Sequence, residues 1–292
     1  MLMRNQQAIT MTDNKITKFN VAAIQMASGP SVSANLMEAE RLLAIAVERG
    51  ASLCVLPENF SFMGMSEQDK LRVAEVEGTG PVQDFLANQA SKLGIWLVGG
   101  TIPISSNDPQ RVRAAALLFD DSGKRVERYD KMHLFDVNLE EGNEQYMESA
   151  AIEPGDEVSC CDTPLGKLGL AVCYDLRFPE QFRQMAEGDI DIIILPSAFT
   201  ATTGKAHWHH LVCARAIENL SYVVAPNQGG YHINGRESYG HSMIVDPWGN
   251  ILDCLDSGSG VVVAEIDHEV IARVRKNFPA LEHRRLGCRS PF

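Results

Sequence analysis

Four side chains in this sequence have the types and positions from which an acyl group could be passed through a cysteine. Cys173 closes an apolar run that starts at Gly166, and it opens Cys-Tyr-Asp-Leu-Arg-Phe-Pro-Glu. A strand turning into a helix presents such a side chain outward, beside backbone N–H groups that favour an anion, and this suits a thiolate nucleophile of lowered pKa. A cysteine at a strand end, taken alone, is better read as core filler, since free Cys is among the most buried residue types. Glu58 ends another apolar run, directly after Pro57. The C-terminal edge of a strand is where α/β folds build their sites, and partial burial would raise a carboxyl pKa toward neutrality for base and acid work. The plain alternative is a solvated or helix-capping glutamate. Lys131 follows Tyr129-Asp130 and offers a cation to a developing oxyanion, although a lysine taken alone is a surface residue. Glu148 lies in a polar loop and carries no signal by itself.

The elements that would hold these groups follow from hydrophobic periodicity. Strands are expected over residues 19–26, 53–56 and 95–98, with helices over 35–48 and 81–93 between them. The pattern returns in the second half, with strands over 168–172, 190–195 and 222–225 and helices over 179–186 and 207–219. Asp121-Ser122-Gly123 marks a hairpin between strands 114–119 and 126–129, and Pro247-Trp248-Gly249-Asn250 marks another between 242–245 and 251–254. Strands alternating with helices mean an α/β fold, and the similarity of the halves suggests two stacked sheets. No Gly/Ser linker interrupts the chain, so a single domain over residues 18–292 is expected, preceded by a flexible tail over 1–17.

Composition narrows the function. The 292 residues are 45% hydrophobic and 22% charged, enough for a large core, and the net charge is −12. Such a surface repels phosphate backbones and anionic lipid, which argues against nucleic acid and membrane partners. No apolar run approaches the ~18–20 residues of a membrane helix, and residues 1–15 contain no signal-peptide core, with Met11 an alternative start. Seven cysteines, an odd number without a CxxC pair, point to a reduced, cytoplasmic protein and away from structural zinc. His207, His209 and His210 cluster, but without a carboxylate partner at metal-binding spacing, so no metal is expected. Gly229-Gly230 reads as a turn and Trp248 as hairpin packing.

Taken together, Leu-Pro-Glu58, Asp-Lys131-Met-His-Leu-Phe and Ala-Val-Cys173-Tyr-Asp-Leu-Arg-Phe-Pro-Glu resemble the three signature segments of the nitrilase (carbon–nitrogen hydrolase) superfamily, in its chain order. The resemblance runs from about Phe19 to the C-terminus. It implies a four-layer α-β-β-α sandwich and a Glu-Lys-Cys triad: Glu58 as base and acid, Lys131 as oxyanion stabiliser with the backbone N–H of Tyr174, and Cys173 as nucleophile. Glu148 falls where the family has a second, supporting glutamate. The flanking segments around Pro196, Thr203, Ala214 and Ser238 are similar to the amidase branch acting on amides of the 2-oxoglutaramate type. That branch implies Arg177, Phe199 and Thr203 as holders of the substrate's carboxylate and oxo end. An Arg177 guanidinium forking onto a carboxylate is physically apt, although Asp175 or Glu180 could pair with it instead. The expected substrate is deaminated glutathione, cleaved through a thioester to 2-oxoglutarate and cysteinylglycine, with no cofactor and with a homodimer or higher homo-oligomer as the assembly. The alternatives are 2-oxoglutaramate as substrate, or a catalytically silent scaffold, against which the intact triad argues.

Overall fold

Strict alternation along the apolar runs sends neighbouring side chains to opposite sheet faces, and both faces here are covered. In the computed structural model, which describes residues 11–12, 15–139 and 144–287, seven strands form one sheet and six form another. The first sheet runs in the order Gly260–Asp267, Lys18–Gln25, Ala51–Val55, Trp96–Val98, Val112–Phe119 and Ile102–Ser105, with Arg125–Asp130 also paired to Val112–Phe119. The second runs Ser159–Thr163, Gly166–Leu170, Ile192–Ile194, Tyr222–Ala225, Ser242–Val245 and Ile251–Leu255. Each sheet contains three adjacent parallel strands joined by helices: α1 (Val32–Glu48) and α2 (Pro81–Leu93) in the first, α3 (Pro179–Ala186) and α4 (Ala201–Asn219) in the second. Helix α5 (His268–Asn277) follows the last strand.

Burial divides these elements into layers. Val21, Ala23, Leu53 and Val55 join Leu168, Ile194 and Val224 in one core between the sheets, which continues under α3 and α4 through Phe182 and Trp208. Their sequence neighbours Ala22, Ile24 and Cys54 belong to a second core, packed on Leu42 and Leu43 of α1 and Leu86 of α2. The result is the expected four-layer α-β-β-α sandwich.

Several boundaries differ from the expectations. Helix α4 begins at Ala201 rather than at residue 207, because Thr200 caps it: the Thr203 N–H donates to Thr200 Oγ1 at 3.2 Å. Gly229-Gly230 is not a turn. It begins the strand Gly229–Tyr231, which pairs with Glu237–Tyr239, and the glycines are needed because Gln25 and Gly240 crowd the Gly229 Cα while Gly230 has φ +129°. Glu148 opens a short 3₁₀ turn after the hairpin Asp136–Leu139/Glu144–Met147. Most of the expected N-terminal tail lies outside the described residues; Met11–Thr12 pairs with Lys15–Ile16, and the Ile16 N–H donates to the Pro164 carbonyl at 2.9 Å. Cys288 also lies outside the described residues.

Candidate active site

Parallel strands end where their backbone dipoles and loops converge, and Glu58 and Cys173 both follow such ends, one from each sheet. Glu58 is the third residue after the strand Ala51–Val55 and opens the turn that follows it. Its backbone is pinned by the Gln228 side chain, which donates to the Glu58 carbonyl at 3.0 Å, and by Gly100, where a Cβ would meet the Pro57 carbonyl at 2.0 Å. Lys131 follows Arg125–Asp130, and its N–H donates to the Ala114 carbonyl at 3.0 Å. Cys173 starts the 3₁₀ turn Cys173–Arg177 with φ +48°, a left-handed conformation that a non-glycine residue adopts at a cost of about 1–3 kcal/mol. What over-determines it is a set of bonds: the Cys173 N–H donates to the Pro196 carbonyl at 2.9 Å, and Asp175 accepts from the Val172 N–H at 2.7 Å.

The four expected catalytic residues meet. The Lys131 ammonium, buried with its side chain 2% exposed, donates to Glu58 Oε1 at 2.7 Å and to both Glu148 oxygens at 2.8 Å. The Phe135 N–H gives Glu148 a further donor at 2.7 Å. Burial drives both carboxyl pKa values up. At Glu58 the Lys131 charge and its hydrogen bond overcome burial and hold the carboxyl below its ordinary range. At Glu148 burial, reinforced by the Glu58 charge, wins over Lys131 and the pKa is raised. Lys131 itself is desolvated, yet the two carboxylates keep it firmly protonated. One buried cation thus serves two carboxylates, and it favours the ionised form more strongly at Glu58 than at Glu148.

Cys173 departs from expectation in one respect. The turn does not lower its thiol pKa: burial first, then the Glu58 carboxylate, push it up, and Lys131 offsets only part of this. The group at rest is a thiol beside a carboxylate, so the base must remove its proton as the sulfur attacks.

The remaining expected residues line the same cleft, which encloses about 460 Å³ including its open mouth. Tyr174 and Phe199 flank the Arg177 guanidinium, whose Cζ lies 5.8 and 5.3 Å from their ring centroids. Thr203 is in the first turn of α4, its Oγ1 2.9 Å from Thr200 Oγ1. Arg177 pairs with neither Asp175 nor Glu180. Asp175 is engaged by Tyr129 and His133, and Arg177 Nη1 sits 3.2 Å from His207 Nδ1. Burial and Arg177 lower the His207 pKa, which favours a neutral imidazole that accepts from the guanidinium and leaves its charge unanswered. His209 packs against the rings of Tyr239 and His241.

The cleft also contains charged residues that the sequence patterns did not single out, Glu67, Lys70 and Arg236. Lys70 and Glu67 form an ion pair within the polar run that opens at Ser66. Arg236 follows Asn234-Gly235, a hairpin signal that could have been read from the sequence.

Residues 20–276 match the family described as carbon-nitrogen hydrolase. The chain is 42% identical over 267 residues to a deaminated glutathione amidase of Synechocystis sp., covering 90% of this chain and 97% of the relative. Among solved structures, the C. elegans NitFhit protein superposes with a TM-score of 0.86 at 35% identity, over 93% of this chain and 66% of that one. Saccharomyces cerevisiae Nit3, a member of branch 10 of the nitrilase superfamily, gives a TM-score of 0.84 at 32% identity over 95% of this chain and 100% of that one.

Proposed function

The chain belongs to the carbon–nitrogen hydrolase family and is an amidase, and from that premise we propose that it hydrolyses deaminated glutathione through a thioester on Cys173. The observation that carries the chemistry is the buried contact of Lys131 with both Glu58 and Glu148, in the same cleft as a cysteine held at φ +48°. Glu58 takes the thiol proton as Cys173 Sγ bonds to the amide carbon. Lys131 and the Tyr174 N–H stabilise the oxyanion; since Lys131 already donates to two carboxylates, much of its effect is the field of its charge. Glu58 returns the proton to the amide nitrogen, the C–N bond breaks, and cysteinylglycine leaves. It then takes a proton from water, whose oxygen attacks the thioester; the C–S bond breaks, the sulfur is reprotonated, and 2-oxoglutarate departs. Glu148 holds Lys131 in place, and Arg177, with Phe199 and Thr203, receives the carboxylate and oxo end. Nothing in this sequence of steps requires a metal or cofactor.

The substrate reading is supported by the relatives' names and by the free charge of Arg177. Its test is kcat/KM on deaminated glutathione, 2-oxoglutaramate and a simple nitrile. Deaminated glutathione should win, Cys173→Ala should abolish turnover, and Arg177→Ala should cost both oxo acids about 2–5 kcal/mol in activation free energy. A clear preference for 2-oxoglutaramate would make the chain an omega-amidase instead. Two further proposals complete the reading. A cytoplasmic location is supported by six free cysteines among the described residues, and by no described helix being long and apolar enough to cross a membrane. A homodimer or higher homo-oligomer is supported by exposed Ile217, Trp248 and Phe278, and sedimentation velocity would decide it.

A further inference from the structure

The charges lining the cleft do not cancel. Lys131 is answered by Glu58 and Glu148, and Lys70, 8% exposed, is answered by Glu67. Two guanidiniums remain, Arg177 and Arg236, and neither forms an ion pair with a carboxylate among the described residues. In a chain of net charge −12, where carboxylates outnumber cations, this is a local reversal.

Arg236 is not a surface arginine that happens to lie nearby. It comes from the turn between Gly229–Tyr231 and Glu237–Tyr239 and is fixed on two sides. Its Nη2 donates to the Ala198 carbonyl, and its Cζ lies 5.2 Å from the Tyr146 ring centroid. Its Nε is buried and has no hydrogen-bond partner among the described residues, so the bonds the guanidinium makes within the protein leave part of its donor capacity unused. The two arginines also occupy different places. Arg177 shares the 3₁₀ turn of Cys173 and lines the inner cleft. Arg236 lines both the inner cleft and a second, outer depression that continues past Tyr146 to Thr202 and Tyr231. One cation thus stands on the nucleophile's own turn and the other at the way out.

We infer that Arg236 receives a second carboxylate, on the leaving-amine half, so that the site selects a dianion carrying one carboxylate on each side of the scissile amide. The inference rests on the function proposed above and deepens it. A cysteinylglycine leaving group ends in a carboxylate, whereas the ammonia released from 2-oxoglutaramate has none. Arg177 serves the end both substrates share, and Arg236 is the residue that can tell them apart.

The test must separate recognition from a general effect, because the Arg236 charge also lowers the Glu58 pKa. A ratio removes whatever is common to all substrates. Two substrates are compared: deaminated glutathione, and the same molecule with its terminal carboxylate replaced by a primary amide. Wild-type enzyme should favour the carboxylate by about 30-fold or more in kcat/KM, the scale of a desolvated charge pair. In Arg236→Gln the ratio should fall to within about threefold of unity, and Arg236→Lys should keep an intermediate ratio, since an ammonium cannot make the guanidinium fork. A merely structural role for Arg236 would lower both substrates together and leave the ratio at its wild-type value, which would overturn the inference, as would a wild-type ratio near one. If wild-type enzyme ignores deaminated glutathione altogether, the proposed function fails and this inference fails with it. If it hydrolyses deaminated glutathione with a ratio that Arg236→Gln does not change, only the role of Arg236 is lost.

Discussion

Glu58 and Cys173 share one proton, and their surroundings decide which holds it. Burial raises the pKa of both, but Lys131 is in direct contact only with the glutamate, so the carboxyl stays ionised while the thiol stays protonated. The consequence for pH is specific. A carboxyl held below its ordinary value of 4.5 remains a base until the solution is more acid than that, so the acid limb of kcat/KM should lie below pH 4.5 wherever the fold survives. Glu58→Gln should lose at least about 10²- to 10⁴-fold in kcat, the worth of a positioned general base. A near-wild-type rate in that variant would mean that another group takes the proton. Lys131→Met asks the converse question. Two buried carboxylates would lose their cation, and breaking a buried pair costs about 3–5 kcal/mol at neutral pH. Without Lys131 both folded-state pKa values rise above the unfolded ones. The stability they contribute is then present below the unfolded pKa and lost as pH rises through the folded one. Denaturant midpoints should therefore show a larger deficit for Lys131→Met at about pH 8 than at about pH 5. A deficit independent of pH would show that the carboxylates had found other partners.

Between residue and element stands Asp175, the third residue of the nucleophile turn. It is fully buried and accepts from the Val172 N–H at 2.7 Å, the Tyr129 hydroxyl at 2.6 Å, and the His133 N–H and Nδ1 at 3.0 and 2.7 Å. The turn carrying Cys173 is thereby tied to both flanks of Lys131, across 42 to 46 positions of chain. Asp175→Asn presents an amide to some of these donors and loosens the tie. It should destabilise the fold by about 1–3 kcal/mol and lower kcat by about 100-fold with little change in KM, since a misplaced nucleophile affects the reaction more than binding. Stability loss with an unchanged kcat would make Asp175 a packing residue only. Elements of this kind also mark how far the sequence could be read. The strand ends bearing Glu58 and Cys173 were legible because apolar runs and their stops are local signals, and α2, α3 and Tyr222–Ala225 have the expected boundaries. The partnership of Lys131 with Glu148 was not, because it depends on the polar hairpin Asp136–Leu139/Glu144–Met147, whose pattern resembles a solvated loop. Arg236 and Lys70 are hidden for the same reason: their segments are polar, and only tertiary contact turns them inward. The edge strand Ile102–Ser105 carries Pro103, which weakens any strand signal although an edge tolerates it. Gly260–Asp267 is different, since its run Val261-Val262-Val263 is strand-like by any measure of propensity; it lies beyond the last hairpin expected from sequence.

At the scale of the molecule, the site is assembled from two similar halves. The first supplies Glu58, Lys131 and Glu148, the second supplies Cys173, Arg177 and Arg236, and neither half contains a complete set. Their relative position is set by the core between the sheets, where Leu53 and Val55 share a buried cluster with residues such as Ile194 and Val224, a layer closed to water. Because interiors are close-packed, the spacing of the halves is not independently adjustable. A single domain over residues 18–292, which the sequence leads one to expect, would have a measurable signature. Trp96 lies in the first sheet and buried Trp208 in α4 against the second, so the two report on different halves. Their fluorescence, and amidase activity, should be lost at one common denaturant concentration. Leu53→Ala, which removes a side chain 0% exposed from the layer between the sheets, should destabilise the protein by about 2–5 kcal/mol and move all three transitions together. If the Trp96 signal shifted while the Trp208 signal kept its wild-type midpoint, the halves would be separate folding units. The site would then be an interface between two domains rather than the edge of one.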